Sequence, residues 1–266
     1  MKNPSLLMTS LFTALLLSLS SVAADAAAPL SLEPVEEPAD AFAGETLRYR
    51  IDFWLLRGSA EGELCFYKTS YGYRAFFEAE TRGVLRVLGG NRRETMESEM
   101  EYDRAGQRLR PRLFRETFRQ GKKTFSRSVA FDYERRVFTC TRVDPGGARR
   151  VTRAPLPDTD FEDLLSLYYN FRLGCYGPLR DDGRIRVAVV MKERPSFIAI
   201  EFPPPGSRER ALGYAAAMTM DRDITHAYSR RVLARISPGR ILESALIADA
   251  YFFGDLEVTL TGTGSN

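Results

Sequence analysis

The sequence predicts a mainly β protein in which a curved antiparallel sheet, or incomplete β-barrel, packs around one α-helix at about residues 160–173. Three observations carry this. Apolar side chains recur with period two through most of the chain. Turn residues punctuate that alternation, and a single segment switches to helical spacing.

The N-terminus reads as an address. Lys2 precedes an apolar run, Leu6 to Leu19, broken only by Ser and Thr, and the small-x-small patterns Ser21-Val22-Ala23 and Ala24-Asp25-Ala26 follow. The run is shorter than the roughly 20 residues a membrane-spanning helix needs. Residues 1–26 are therefore expected to be a signal peptide, cut near Ala23 or Ala26, that delivers the chain to a bacterial periplasm without a transmembrane segment after cleavage. Residues 27–43 place Pro29, Pro34 and Pro38 among Glu33, Glu36, Glu37 and Asp40, an extended acidic leader.

From residue 44 the strands begin. Leu47, Tyr49, Ile51 and Phe53 alternate with Arg48, Arg50 and Asp52, and Gly58 to Gly62 supplies turn chemistry before Leu64 and Phe66 return as a hairpin. Similar alternation follows at Tyr73–Ala79, Met96–Tyr102, Phe125–Tyr133 and Val137–Val143, closed by Asp144-Pro145-Gly146-Gly147. The helix is expected next. Thr159 with Glu162 fits a capping box, Asp160 is an alternative N-cap, and residues 161, 164, 165, 168 and 171 form one apolar stripe. Arg172 suits its last turn and Gly174 its stop.

Strands resume at Ile185–Met191, Phe197–Phe202 and Leu212–Met220, while 223–236 fits a strand or a helix. Ala245–Phe252 and Leu256–Leu260 form a closing hairpin about Phe253-Gly254-Asp255. Residues 44–262 thus make a single β-rich domain, with 263–266 a polar tail. Arg and Glu recur on both faces of most strands, which argues against a lipid-facing barrel.

Composition excludes several functions. With 38 basic against 35 acidic groups the net charge is +3, so nothing favours nucleic acid. A lone histidine, His226, and three dispersed cysteines give no metal-ligand spacing. There is no glycine-rich phosphate loop and no Gly-x-Ser-x-Gly elbow, so neither cofactor nor metal is expected and catalysis is disfavoured. Cys65, Cys140 and Cys175 leave two states open, three reduced thiols or one disulfide with one free thiol.

Gly44-Glu45-Thr46-Leu47-Arg48-Tyr49-Arg50-Ile51, with Trp54 and the small residues Gly58, Ala60 and Gly62, resembles the opening of a bacterial exported-protein family of unknown function. The family also carries an Asp before a leucine- and tyrosine-rich helix ending in Arg, matched here by Asp163-Leu164-Leu165-Ser166-Leu167-Tyr168-Tyr169-Asn170-Phe171-Arg172. Its late Ile-Pro step is absent, replaced by Pro238-Gly239-Arg240-Ile241-Leu242. The resemblance implies an envelope β-rich fold around a helix, with no established activity and no known catalytic residues.

Three site readings follow. Tyr49, Phe53, Trp54, Phe66, Tyr73 and Phe77 on strands, with Tyr168 and Arg172 on the helix, either line an apolar cavity or fill a core. Arg108, Arg110 and Arg112 share one parity in a basic run from Arg104 to Lys123, suited to an anionic group or to a charged strand edge, with Pro111 marking a bulge or an edge. Asp158, Asp160, Glu162 and Asp163 either cap the helix or hold a carboxylate pair. The leading expectation is a non-catalytic periplasmic protein binding an apolar or amphipathic, lipid-like envelope molecule, with a lipid or lipopolysaccharide-like ligand. The alternatives are a structural module docking to an envelope protein through an exposed strand edge, and a hydrolase using Asp158–Asp163.

Overall fold

A computed structural model of the chain describes residues 37–178, 180–221, 231–251 and 254–265. Its first half is an antiparallel meander: β1 (Glu45–Phe53), β2 (Leu56–Thr69), β3 (Gly72–Thr81), then β4 (Arg92–Asp103), β5 (Arg108–Gln120), β6 (Lys123–Asp132), β7 (Val137–Val143) and β8 (Arg149–Pro155). A short helix, α1 (Gly83–Gly89), joins β3 to β4. The two-residue β9 (Phe161–Glu162) leads directly into α2 (Leu164–Arg172). The second half comprises β10 (Arg184–Val189), β11 (Ser196–Glu201), the single turn α3 (Arg208–Ala211) and β12 (Ala216–Met220). It ends with β13 (Arg231–Ile236), β14 (Leu242–Tyr251) and β15 (Gly254–Ser265).

All fifteen strands belong to one sheet, ordered β8-β7-β6-β5-β4-β3-β2-β1-β15-β14-β13-β12-β11-β10-β9. Each strand pairs with its sequence neighbour except at one place. There β1 meets β15, so the first and last strands join the two halves. The pairing of β9 with β10 is parallel; the others are antiparallel. Burial alternates along β3 and β4, which puts Tyr73, Ala75, Phe77 and Ala79 on the same inner face as Met96, Ser98 and Met100.

The curved sheet wraps α2 so fully that every residue from Leu164 to Phe171 is buried. The helix is therefore enclosed rather than laid on the sheet by one stripe, and its Ser166 and Asn170 side chains make their bonds inside the molecule. This is the mainly β architecture around one helix that the period-two pattern predicts.

Several boundaries differ from the sequence reading. The helix starts at Leu164, and its N-cap is Asp163 rather than Thr159 or Asp160. Asp163 accepts from the amides of Leu165 (2.8 Å) and Ser166 (2.9 Å), while Ser166 Oγ accepts from the Asp163 amide. Phe161 and Glu162 are drawn into the sheet against Ala188 and Val189, so the chain cannot be helical there. The first hairpin turns at Trp54-Leu55, with Phe53 opposite Leu56, instead of at Gly58–Gly62. Gly58 has a φ of +61° inside β2, and its amide donates to Asp52 Oδ1 beside a register shift; glycine here serves a bulge.

The end of the acidic leader is folded: Pro38–Phe42 is a 3₁₀ turn with Ala39 buried. Leu212 to Met220 is not one strand, because Leu212 caps α3, a turn follows, and β12 begins only at Ala216. Residues 263–265, read as a tail, continue β15 opposite Leu47, Thr46 and Glu45. The ambiguous 223–236 segment ends in a strand, β13. The bulge at Pro111 is present, since Glu99 faces Leu113 and Met100 faces Pro111, leaving Arg112 over. All three cysteines are free thiols. The expected signal peptide, the leader before residue 37, His226, Phe252 and Phe253 lie outside the described residues. Among the described residues no helix is long and apolar enough to cross a membrane.

Candidate functional site

The interior is built around the two ends of α2. At its start, Ser98 Oγ on β4 donates to Asp163 Oδ2 at 2.5 Å, tying the cap to the sheet. Burial pushes the Asp163 carboxyl up to about 7, against hydrogen bonds from Ser98 and the backbone that pull it down. Glu162 beside it has no exposed surface; it accepts from Asn170 Nδ2 (2.7 Å) and Tyr176 OH (3.0 Å) and forms an ion pair with Arg108. Burial raises its carboxyl, with Arg108 opposing. Asn170 also clamps the backbone of Leu109, accepting from its amide at 2.6 Å and donating to its carbonyl at 2.7 Å.

At the other end Arg172 makes a two-pronged ion pair with Glu45 on β1, one prong being Nη2 to Oε1 at 2.7 Å. Its guanidinium lies over the rings of Phe42 (4.4 Å), Tyr168 and Tyr169 (both 5.6 Å). Arg240, from the segment that lacks the Ile-Pro step, donates to the Phe171 carbonyl at 2.8 Å. A Cβ on Gly174 would sit 3.1 Å from that guanidinium, and its φ is +84°, so the helix stop expected there has two physical reasons.

The aromatic candidates are core. Tyr49, Phe66, Tyr73, Phe77 and Tyr168 are all buried, and Phe66 stacks on Tyr73 (5.5 Å) and meets Tyr169 (4.3 Å) and Phe42 (5.9 Å). Tyr73 OH lies 2.8 Å from Asp40 Oδ1 and 2.9 Å from Glu37 Oε2, anchoring the 3₁₀ turn. Tyr168 meets Tyr169 edge-on at 5.1 Å, so Phe66, Tyr73 and the two helix tyrosines pack as one aromatic cluster. Arg172 is likewise a structural anchor. Phe53 is half-buried, and Trp54 projects from the hairpin tip.

The basic run is largely neutralised. Arg108 bonds Glu162 and Asp160, and Arg110 stacks on Tyr133 at 3.8 Å. Arg115 reaches Glu97 and Glu99. Arg112 stands exposed on the bulge, 3.7 Å from Glu101. The three arginines chosen by parity therefore do not converge on one anionic group. The acidic cluster also disperses: Asp158 and Asp160 face solvent, paired with Arg136 and Arg108, while Glu162 and Asp163 are interior.

Several buried charges went unforeseen, among them Glu94, Glu116 and Arg127. Glu94 on β4 is fully buried with no hydrogen-bond partner among the described residues, and burial with Glu116 nearby raises its carboxyl. Glu116 bonds Arg127 at 2.8 Å, both buried. Parity held the signal, since Glu94 falls in step with Met96, Ser98 and Met100. On the outer face a groove of about 600 Å³ crosses β1 to β3, lined by paired charges such as Arg48–Glu63 and Arg82–Glu61. Phe76 and Ala79 supply its apolar part between those charges.

These features define a β-barrel-like module filled by its own helix. No family model matches the chain, and no curated protein matches its sequence. Among solved structures it is similar to a β-barrel-like protein of the domain of unknown function DUF1849 from Brucella abortus, with a TM-score of 0.51 and 10% identity. The match covers 85% of this chain and 98% of that one. At that identity the likeness shows the fold alone.

Proposed function

We propose that this chain is an exported, non-catalytic module of a bacterial envelope that works through its outer surface and not as a carrier with an internal ligand. The observation that carries the reading is the occupied interior: α2 is enclosed from Leu164 to Phe171, and of the rings expected to line a cavity Tyr49, Phe66, Tyr73, Phe77 and Tyr168 are buried, with Phe66 stacked on Tyr73 and packed on Tyr169 of that helix. A lipid tail would have to displace packed aromatics that each bury a large apolar area. The hydrolase alternative finds little support, because Asp163 caps the helix and Glu162 is bound by Arg108, Asn170 and Tyr176. The apparent leader and the resemblance to an exported family support the location.

The test is direct. Protein recovered from the exporting host is extracted with organic solvent and the extract analysed by mass spectrometry. The expected result is no lipid near one molecule per chain. Stoichiometric lipid that survives delipidation attempts would overturn the surface reading and restore the carrier.

A further inference from the structure

The β1–β2 hairpin carries the exposed apolar pair Trp54 (59% exposed) and Leu55 (76%) at its tip, and α1 adds Val84 (53%) and Val87 (82%). Val84 and Val87, three apart, share one side of that helix. The two elements stand at the same end of the barrel. The Arg82 amide donates to the Ser59 carbonyl at 2.8 Å, and a Cβ on Gly83 would lie 3.9 Å from the Gly58 carbonyl. Gly58 is only about 10 Å along β2 from Leu55.

Trp54 is placed at a cost. It is the sole Trp of the chain, and its φ is +51° at the first position of a two-residue hairpin turn, where glycine is the favoured residue. Gly254, the first residue of the neighbouring β15, leaves room for it, since a Cβ there would fall 2.6 Å from Trp54 Cδ1. A strained backbone that presents an indole to solvent points to use of that indole.

At this end exposed cations outnumber the exposed acids of β15, Asp255, whose carbonyl accepts from the Trp54 amide, and Glu257. Arg57 follows the hairpin tip, Arg86 lies on α1, Lys122 sits on the β5–β6 turn and Lys123 opens β6; the Gly121 amide ties that turn to the Asn91 carbonyl just beyond α1. All four are exposed and make no ion pair among the described residues, although most arginines of the adjoining strands are paired. Apolar side chains within a collar of unpaired cations match an anionic bilayer surface, with the indole at headgroup depth and the cations on phosphates.

We infer that this end of the barrel docks on anionic phospholipid bilayers, with Trp54 and Leu55 inserting and the basic side chains steering. The inference rests on the surface-acting reading above and names its partner.

Because Trp54 is the single Trp, its emission reports insertion at this tip alone. Protein from the exporting host, its N-terminus read by mass spectrometry, is mixed with phosphatidylcholine vesicles with and without phosphatidylglycerol. The expected result is co-sedimentation and a blue-shifted emission with the anionic vesicles only, weakened by salt. Trp54→Gly suits the turn's positive φ, so it keeps the thermal transition seen by circular dichroism yet weakens sedimentation about tenfold. Arg86→Glu with Lys122→Glu retains Trp54 and weakens binding by at least about fivefold per site.

Equal binding to neutral vesicles, no blue shift, or sedimentation unchanged by Trp54→Gly overturns the proposal. So does a blue shift that grows with protein concentration without vesicles, since the tip then meets a second copy. Failure here removes the bilayer as partner, whereas lipid in the organic extract removes the surface reading itself.

Discussion

Arg172 and Arg112 are the same residue type, one alone in its stretch of sequence and the other within an arginine run, and the fold uses them differently. Arg172 is buried, bidentate to Glu45 and stacked on three rings; Arg112 is exposed on a bulge, 3.7 Å from Glu101. Truncating a buried partner leaves the other charge short of solvent and of hydrogen bonds, which costs about 3–5 kcal/mol, while an exposed pair contributes about 0–1 kcal/mol. Arg172→Ala is therefore expected to lower urea stability by about 3 kcal/mol, and Arg112→Ala by under about 0.5 kcal/mol. Arg172→Lys recovers little, because one ammonium cannot satisfy both Glu45 oxygens and lie flat on Phe42. Similar losses for Arg172→Ala and Arg112→Ala would mean the aromatic cage carries no stability. Sequence placed Arg172 in the last helical turn, but its partners come from β1 and the 3₁₀ turn, more than a hundred residues away, and no local pattern encodes that. Glu94 shows the reverse. Its parity with Met96, Ser98 and Met100 was legible, but alternation alone does not say that a carboxylate takes an inner position of that strand.

The start of α2 shows what local chemistry leaves undecided. Thr159, Asp160 and Asp163 are all competent caps, and propensity alone does not rank them. The parallel pairing of Phe161 and Glu162 with β10 settles the choice by holding those residues extended, so Asp163 is the first position free to cap. The cap is then enclosed, and its titration couples to folding. Unfolded, its carboxyl releases its proton near pH 4. Folded, burial holds the proton until about 7. Between these values the folded state binds more protons than the unfolded one, so this group's stabilising contribution is complete below about pH 4 and is lost as the pH rises to about 7. Asp163→Asn keeps an oxygen for the Leu165 and Ser166 amides and removes the titration. The slope of the urea midpoint against pH should become shallower across that window in the variant. Glu162 and Glu94, both raised by burial, sustain the remainder. An identical slope in wild type and Asp163→Asn would show that Asp163 is not protonated by folding.

At the scale of the molecule, strand order is sequential except where β1 meets β15, and that seam decides how the barrel holds together. The period-two pattern identified most strands and their inner faces, because burial on one side imposes alternation wherever a strand runs. It carried no information on closure, because Leu47 reads the same whether its outer neighbour is Thr263 or solvent. The closing contact spans nearly the whole chain, from Glu45 to Ser265, so its loop entropy must be met before the two halves stabilise each other. The finished sheet should therefore open unevenly. In β1, flanked by β2 and β15 with Leu47, Tyr49 and Ile51 buried, amides exchange only when the whole domain unfolds. In contrast, β8 pairs on one side only, with five of its seven residues exposed, and Arg149, Arg150 and Arg153 deter a new strand from adding there. Hydrogen-exchange mass spectrometry should find peptides over residues 45–53 and 256–260 sharing one slow, denaturant-sensitive rate. The 149–155 peptide should exchange orders of magnitude faster and respond little to low denaturant. Equal protection of β1 and β8 would contradict an open-edged sheet and imply that something covers β8 in solution. Early exchange of 256–260 would mean that the two halves hold together without the β1–β15 seam.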